Sequence, residues 1–164
     1  NAEGKMESLE EIRYEGFGPY GVGVLIEVVT DNKNRAAQEF KNIFEKAGGN
    51  IAGPGAVSYN FDHKGYLIVK KTDDVDSQTL SLIDLGIEDI EDTEEGLELI
   101  VNSEELKNMK DKLEEAGFTV VRAELTMIPK NYVEIDNPEH IDKVTRFLES
   151  LEDHDDVQKV YSNF

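Results

Sequence analysis

Tyr14-Glu-Gly-Phe-Gly-Pro-Tyr-Gly21 runs into Val22-Gly-Val-Leu-Ile-Glu-Val-Val-Thr30 and then Asp31-Asn-Lys-Asn-Arg35, and the order of these pieces decides how the chain is read. Gly16, Gly18 and Gly21 spell G-x-G-x-x-G. In a dinucleotide-binding fold those glycines follow a strand and open a helix, so that backbone N–H groups and the positive helix end meet a pyrophosphate. Here the glycines precede the strand-like run Val22 to Thr30, and Pro19 removes a backbone donor from within the motif. Gly16, Gly18, Pro19 and Gly21 are therefore expected to shape a turn that launches a strand.

Past Thr30 the apolar spacing changes. Ala36, Phe40, Ile43, Phe44 and Ala47 recur at helical intervals behind a cap at Thr30 or Asp31, and Gly48 and Gly49 stop the helix. A strand is expected at about Ala56 to Phe61, and Asp62-His-Lys-Gly65 reads as a turn by composition. The same plan recurs from Leu97 to Val101 through Ser103, an N-cap with Glu104 and Glu105 at the positive helix end. Leu106, Met109, Leu113 and Ala116 then line one helix face, and Gly117 precedes a strand from Phe118 to Met127. It recurs again from a strand Tyr132 to Ile135 into Asn137-Pro138, cap and first helical residue, with Ile141, Val144, Leu148 and Leu151 as the apolar face. The acidic break Glu152 to Asp156 leads to a last strand, Val157 to Ser162.

A weaker helix at Ser77 to Leu85 falls between strands Tyr66 to Lys70 and Ile87 to Asp92. Residues 66 to 128 thus read β-α-β-β-α-β, the pattern of a ferredoxin-like sandwich with two helices on one face of an antiparallel sheet. Residues 14 to 64 and 132 to 162 each supply β-α-β. The expected fold class is α+β, two ferredoxin-like sandwiches with one inserted into the other. Residues 1–64 and 130–164 would form a discontinuous domain and residues 65–129 an inserted acidic one.

The chain of 164 residues is 38% hydrophobic, which supports folded cores in one compact domain or two small ones. Without cysteine, disulfides, thiolate metal sites and cysteine nucleophiles are excluded. The longest apolar run, Val22 to Val29, is broken by Glu27 and too short to span a bilayer, so no membrane association is expected. No export signal opens the chain, and a soluble cytoplasmic protein is the expectation, or one of the mitochondrial matrix if the source is eukaryotic. The polar opening Asn1-Ala-Glu-Gly-Lys5 reads as the interior of a longer protein.

Net charge is −19, and it is unevenly spread. Residues 1 to 71 hold 9 Lys+Arg against 10 Asp+Glu, residues 72 to 129 hold 4 against 17, and residues 130 to 164 hold 4 against 9. Affinity for nucleic acid rests on neutralising phosphates, so the middle segment would repel a duplex and any such surface belongs in the first part. Most of these carboxylates read as a solvated, solubilising surface.

Catalytic and metal constellations are lacking. His63, His140 and His154 occur singly, with no metal-ligand spacing among them, and His63 beside Asp62 reads as a solvated turn residue. Asp73, Asp74 and Asp76 suggest calcium, but a loop opening at Asp74 would place Thr79 where glycine is needed and Leu85 where glutamate is needed. No serine sits in G-x-S-x-G. No catalytic residue, metal or cofactor is therefore expected. The best binding candidate is the helix entry, where Asp31, Asn32, Lys33, Asn34 and Arg35, with Lys41 further along, offer cations and free N–H groups to an anion. Glu39 and Glu45 offset that charge through ordinary helix-surface pairing. Tyr14, Phe17 and Tyr20 could stack on bases or pack across the sheet.

Five ordered motifs, Tyr14-Glu-Gly-Phe-Gly-Pro19, Thr30-Asp-Asn-Lys-Asn-Arg35, Gly48-Gly-Asn50, Val57-Ser-Tyr59 and Thr126-Met-Ile-Pro129, resemble the YebC/PmpR family, which includes a mitochondrial translational activator of cytochrome oxidase. The likeness covers essentially the whole chain. Tyr20 stands where that family usually has glycine, Ala36 where threonine is common and Ala56 where serine is common. The resemblance implies the second and third domains of a three-domain protein, without its basic helical first domain. It implies a non-enzymatic DNA-binding transcriptional regulator in full length, with this part as a scaffold or interaction module. The alternative is a ribosome-associated translation factor that relieves stalling. Nucleic acid, DNA or ribosomal RNA, would be bound mainly through the absent domain, and the ribosome is a further partner on that alternative. A reading from another class is a small-molecule sensor in the cleft between the domains. No oligomeric state is implied.

Overall fold

The computed structural model describes residues 8–164, and the polar opening Asn1 to Lys5 lies outside the described residues. The chain forms two compact units, one running to Phe61 and resuming at Pro129–Phe164, the other Asp62–Ile128. Each is an α+β sandwich of a four-stranded antiparallel sheet and two helices.

In the first unit, β1 (Glu10–Phe17) and β2 (Gly23–Thr30) pair antiparallel from Glu10↔Thr30 to Phe17↔Gly23. The glycine motif is thus mainly the connection of a β-hairpin. Gly16 lies in strand β1, not in the turn, whereas Pro19–Gly21 form a short 3-10 turn after Gly18. Helix α1 (Lys33–Lys46) follows, then β3 (Asn50–Ala52), with Gly48 and Gly49 between them. After the second unit come α4 (Pro138–Glu152) and β8 (Val157–Ser162), and the sheet order is β3-β1-β2-β8.

Alternation along β2 explains the core. Val24, Ile26 and Val28 are buried on one face under Ala36, Phe40 and Phe44 of α1 and Val144, Phe147 and Leu151 of α4. Removing each of these side chains other than Ala36 from water contributes about 1.5–3 kcal/mol, which outweighs the weak helix preference of short isolated segments.

The second unit holds β4 (Phe61–Val69), α2 (Val75–Asp84), β5 (Asp89–Asp92), β6 (Leu97–Asn102), α3 (Leu106–Glu115) and β7 (Val120–Pro129). Its sheet order, β5-β6-β4-β7, is that of a ferredoxin-like βαββαβ sandwich. Leu67, Val69, Leu97, Leu99 and Val101 pack against Leu82, Met109 and Leu113. Gln78 is buried and satisfied: its amide oxygen accepts from Thr72 N at 3.2 Å, and its amide nitrogen donates to Lys70 O at 2.8 Å.

Several expectations are corrected. Asp62 to Gly65 is not a turn but part of the first half of β4, where a Cβ on Gly65 would lie 2.9 Å from Val101 Cγ2; glycine serves close packing there. Of the strand expected at Ala56 to Phe61 only Phe61 is in a strand, as the start of β4; the preceding loop is tied to Glu15, and Ser58–Asn60 form a short 3-10 turn. Tyr132 to Ile135 is not strand either, although Val133 N donates to Asn163 O at 2.7 Å. The cap of α1 is Asn32 rather than Thr30 or Asp31, and Ser103 opens a short 3-10 turn without capping α3. Asn137 and Pro138 open α4 as the sequence suggests.

Candidate nucleic-acid interface

The helix entry is built by its own side chains. Asn32 Oδ1 accepts from Arg35 N at 3.0 Å, satisfying one of the donors that a helix start leaves open. Buried Thr30 accepts from Asn32 N at 3.1 Å and from the Arg35 guanidinium at 3.2 Å. These bonds fix the turn from β2 into α1 and aim Arg35 back across the helix start.

Arg35 is not a free cation. Its guanidinium lies 2.7 Å from Asp156, 3.3 Å from Asp31 and 3.5 Å from Glu39. Desolvation pulls it down, but the hydrogen bond and charge of Asp156, with the charges of Asp31 and Glu39, outweigh that and hold it above its ordinary value. His154 extends the network, with Nε2 2.6 Å from Glu39 Oε2 and Nδ1 accepting from Asp156 N at 3.1 Å. With Nδ1 accepting, Nε2 carries the hydrogen and donates to Glu39.

Among the proposed site residues, the structure therefore brings Asp31, Asn32 and Arg35 together and adds Glu39, His154 and Asp156. Lys33, Asn34 and Lys41 are exposed along α1, and the two lysines make no ion pair among the described residues. Glu39 carries a local signal, one helical turn beyond Arg35. His154 and Asp156 carry none, since they arrive from the α4–β8 connection. Glu39, His154 and Asp156 place possible ligand atoms within 4.8 Å of one another. The guanidinium already supplies the positive charge beside two of them.

The aromatic candidates separate. Tyr14 packs on Phe40 with ring centroids 5.4 Å apart, inside the first core. Tyr20 is exposed, stacked on His140 at 3.9 Å with Lys143 Nζ 5.7 Å from its ring centroid. Opposite the helices, the buried Glu15 carboxylate accepts from the N–H groups of Gly55, Val57 and Ser58 at 2.8, 3.0 and 2.7 Å. Burial pushes that carboxyl up, but these bonds overcome it and hold it below the usual carboxylate range. An open cavity of about 470 Å³ lies wholly in the second unit beside Lys70, Lys71, Ser77 and Phe118. No helix among the described residues is long and apolar enough to cross a membrane.

Residues 9–164 match the family model described as TACO1/YebC second and third domain. A protein of Dictyoglomus turgidum named "probable transcriptional regulatory protein" is 44% identical over 157 residues, covering 94% of this chain and 63% of its own length. One of Thermotoga maritima with the same name is 46% identical over 165 residues, covering 98% and 64%. A crystal structure of a conserved hypothetical protein from Aquifex aeolicus superposes with a TM-score of 0.85 at 39% identity, over 96% of this chain and 65% of that one. The chain thus spans less than two thirds of the length of these three relatives.

Proposed function

Because the chain belongs to the TACO1/YebC family, as its second and third domains, we propose that it is the non-enzymatic body of a cytoplasmic regulator of gene expression. In the full-length protein, nucleic acid would be held chiefly by residues outside 9–164. The observation that carries this reading is the neutralised helix entry. Arg35, the side chain best suited to a bidentate phosphate contact, is spent on Asp31, Glu39 and Asp156, leaving Lys33 and Lys41 against a net charge of −19. Relatives named probable transcriptional regulatory proteins support promoter DNA as the proposed target, with the two sandwiches acting as scaffold and interaction module.

Fluorescence anisotropy with labelled duplex DNA, across a salt series, tests this. This chain alone is expected to bind more weakly than about 10 μM at about 150 mM salt, the range of non-specific phosphate contact or below. Nanomolar binding under those conditions, lost in a Lys33→Glu, Lys41→Glu variant, would place the nucleic-acid site in these two domains and overturn the reading.

A second reading, action on translation, draws on the Tyr20, His140 and Lys143 group. An exposed aromatic ring beside a lysine suits an unpaired base better than a duplex. Ribosome co-sedimentation of a full-length relative, with and without the equivalent of Tyr20→Ala and Lys143→Glu, distinguishes it from promoter binding.

A further inference from the structure

Helix α2 of the second unit has two unlike sides. Gln78 and Leu82 are buried in the sandwich, while Leu80 at 64% and Ile83 at 53% exposure stand in solvent. Positions 76, 80 and 84 follow one another at single-turn intervals, so Asp76, Leu80 and Asp84 form one ridge about 12 Å long, with Ile83 beside Leu80. Asp76 and Asp84 are exposed, and among the described residues neither makes an ion pair. No Lys or Arg occurs between Val75 and Asp84. Two of these placements do nothing for the fold. Asp84 is the last residue of α2, where a carboxylate meets the negative end of the helix dipole, and no basic side chain in that turn offsets it. Two large aliphatic side chains side by side in water contribute no burial to the folded chain. Local choices that oppose the fold mark a surface kept for another purpose.

We propose that this face of α2 docks a basic amphipathic helix of another protein, whose apolar residues cover Leu80 and Ile83 and whose Lys or Arg residues, one turn to either side, meet Asp76 and Asp84. Charge complementarity names the occupant. Residues 62–128 hold 7 Lys+Arg against 18 Asp+Glu, a net of −11, which draws a cationic partner and repels both nucleic acid and a second copy of the same unit. A helix suits the ridge because its own side chains repeat at the same single-turn spacing, so that Lys, Leu and Lys at i, i+4 and i+8 face Asp, Leu and Asp. The apolar pair supplies the burial and the two acids supply orientation and encounter rate. This partner gives the interaction module a chemical class. Nucleic acid takes no part in the contact, so this proposal and the nucleic-acid reading fail separately.

Fluorescence anisotropy tests the proposal with a labelled peptide of about 16 residues, an Ala–Gln helix carrying Lys and Leu on one face in that spacing. Binding to this chain at about 1–100 μM is expected at about 0.15 M salt, the range of a small interface. A scrambled peptide of the same composition should bind at least about tenfold more weakly, because its charge is kept and its apolar face is lost. Leu80→Gln with Ile83→Gln, neutral changes at exposed positions, should weaken binding of the patterned peptide by at least about tenfold. Asp84→Asn should weaken it by about two- to fivefold without lowering the thermal midpoint, since that acid opposes its own helix dipole. Circular dichroism confirms that each variant is folded. If the glutamine pair does not fold, Leu80→Ala with Ile83→Ala carries the same test. No binding at about 500 μM peptide, equal binding of the scrambled peptide, or indifference to the changes at Leu80 and Ile83 overturns the proposal. So does self-association of the chain that those changes abolish, which would assign the face to a second copy.

Discussion

Arg35 and Asp156, 121 residues apart in the chain, meet at 2.7 Å and tie the start of α1 to the connection that leads into β8. The same guanidinium reaches Asp31 and Glu39, so one cation holds three carboxylates at this point. Replacing it by Arg35→Glu leaves four mutually repelling acids. The expected outcome is a lower thermal midpoint than the parent, with the gap narrowing as salt rises, because these groups are partly exposed and screening reaches them. Melting curves at low and high ionic strength read this directly, and a gap independent of salt would assign the loss to packing instead.

Glu15 is the buried counterpart. Three backbone N–H groups converge on its carboxylate and fold the loop Gly53 to Tyr59 onto the sheet. Glu15→Ala strands those donors and should cost about 2–3 kcal/mol in urea unfolding.

The pH dependence of Glu15 follows from the sign of its shift. A carboxyl held below its unfolded value contributes stability that is present above the unfolded value, near 4.3, and is lost as pH falls through the lower folded value. The stability gap between the parent and Glu15→Gln is therefore expected to be full above about pH 5 and to shrink steadily toward about pH 3. A gap constant over that window would show that the carboxylate charge is not what holds the loop.

Tyr20 has φ of 59°, the left-handed region, which costs a residue other than glycine about 1–2 kcal/mol. Its stack on His140 offsets this by about 0.5–1.5 kcal/mol. Tyr20→Gly relieves the strain and loses the stack, so it should lie within about 1 kcal/mol of the parent. Tyr20→Val keeps the strain, adds a β-branch and loses the stack, and should fall by about 2 kcal/mol or more. Paired chemical denaturation of the two variants separates strain from stacking.

Gly18 sits where a Cβ would come within 2.6 Å of the Phe147 ring, itself buried on α4. Gly18→Ala should therefore destabilise by about 1–3 kcal/mol through overpacking. Adding Phe147→Leu should recover part of that loss, a non-additivity that a double-mutant cycle measures.

Much of the helical framework is legible locally. The apolar positions of α1 and α4 sit at helical spacing, and Asn137-Pro138 marks a start that any reading of caps finds. The glycine motif is only partly legible: its place before an apolar run fits the short turn Pro19–Gly21 that leads into β2, but Gly16 belongs to β1. Strands are harder, because pairing rather than propensity decides them. Asp62-His-Lys-Gly65 has the composition of a turn, yet its partners Lys64↔Asn102 and Gly65↔Val101 draw it into β4. Tyr132 to Ile135 has the composition of a strand but stands outside both sheets.

By itself, then, the sequence determines two α+β sandwiches, the helices that cover them and an acid excess that disfavours phosphate, because periodicity, capping and charge are properties of neighbouring residues. Only the tertiary structure decides that Gly16 belongs to a strand, that Glu15 is wrapped by backbone donors, and that the most promising cation, Arg35, is already neutralised. Gly16 is fixed by its strand partners Val24 and Ile51, and the other two facts depend on residues from 40 to 121 positions away, Gly55 for Glu15 and Asp156 for Arg35, arriving at hydrogen-bonding distance, which no local pattern encodes.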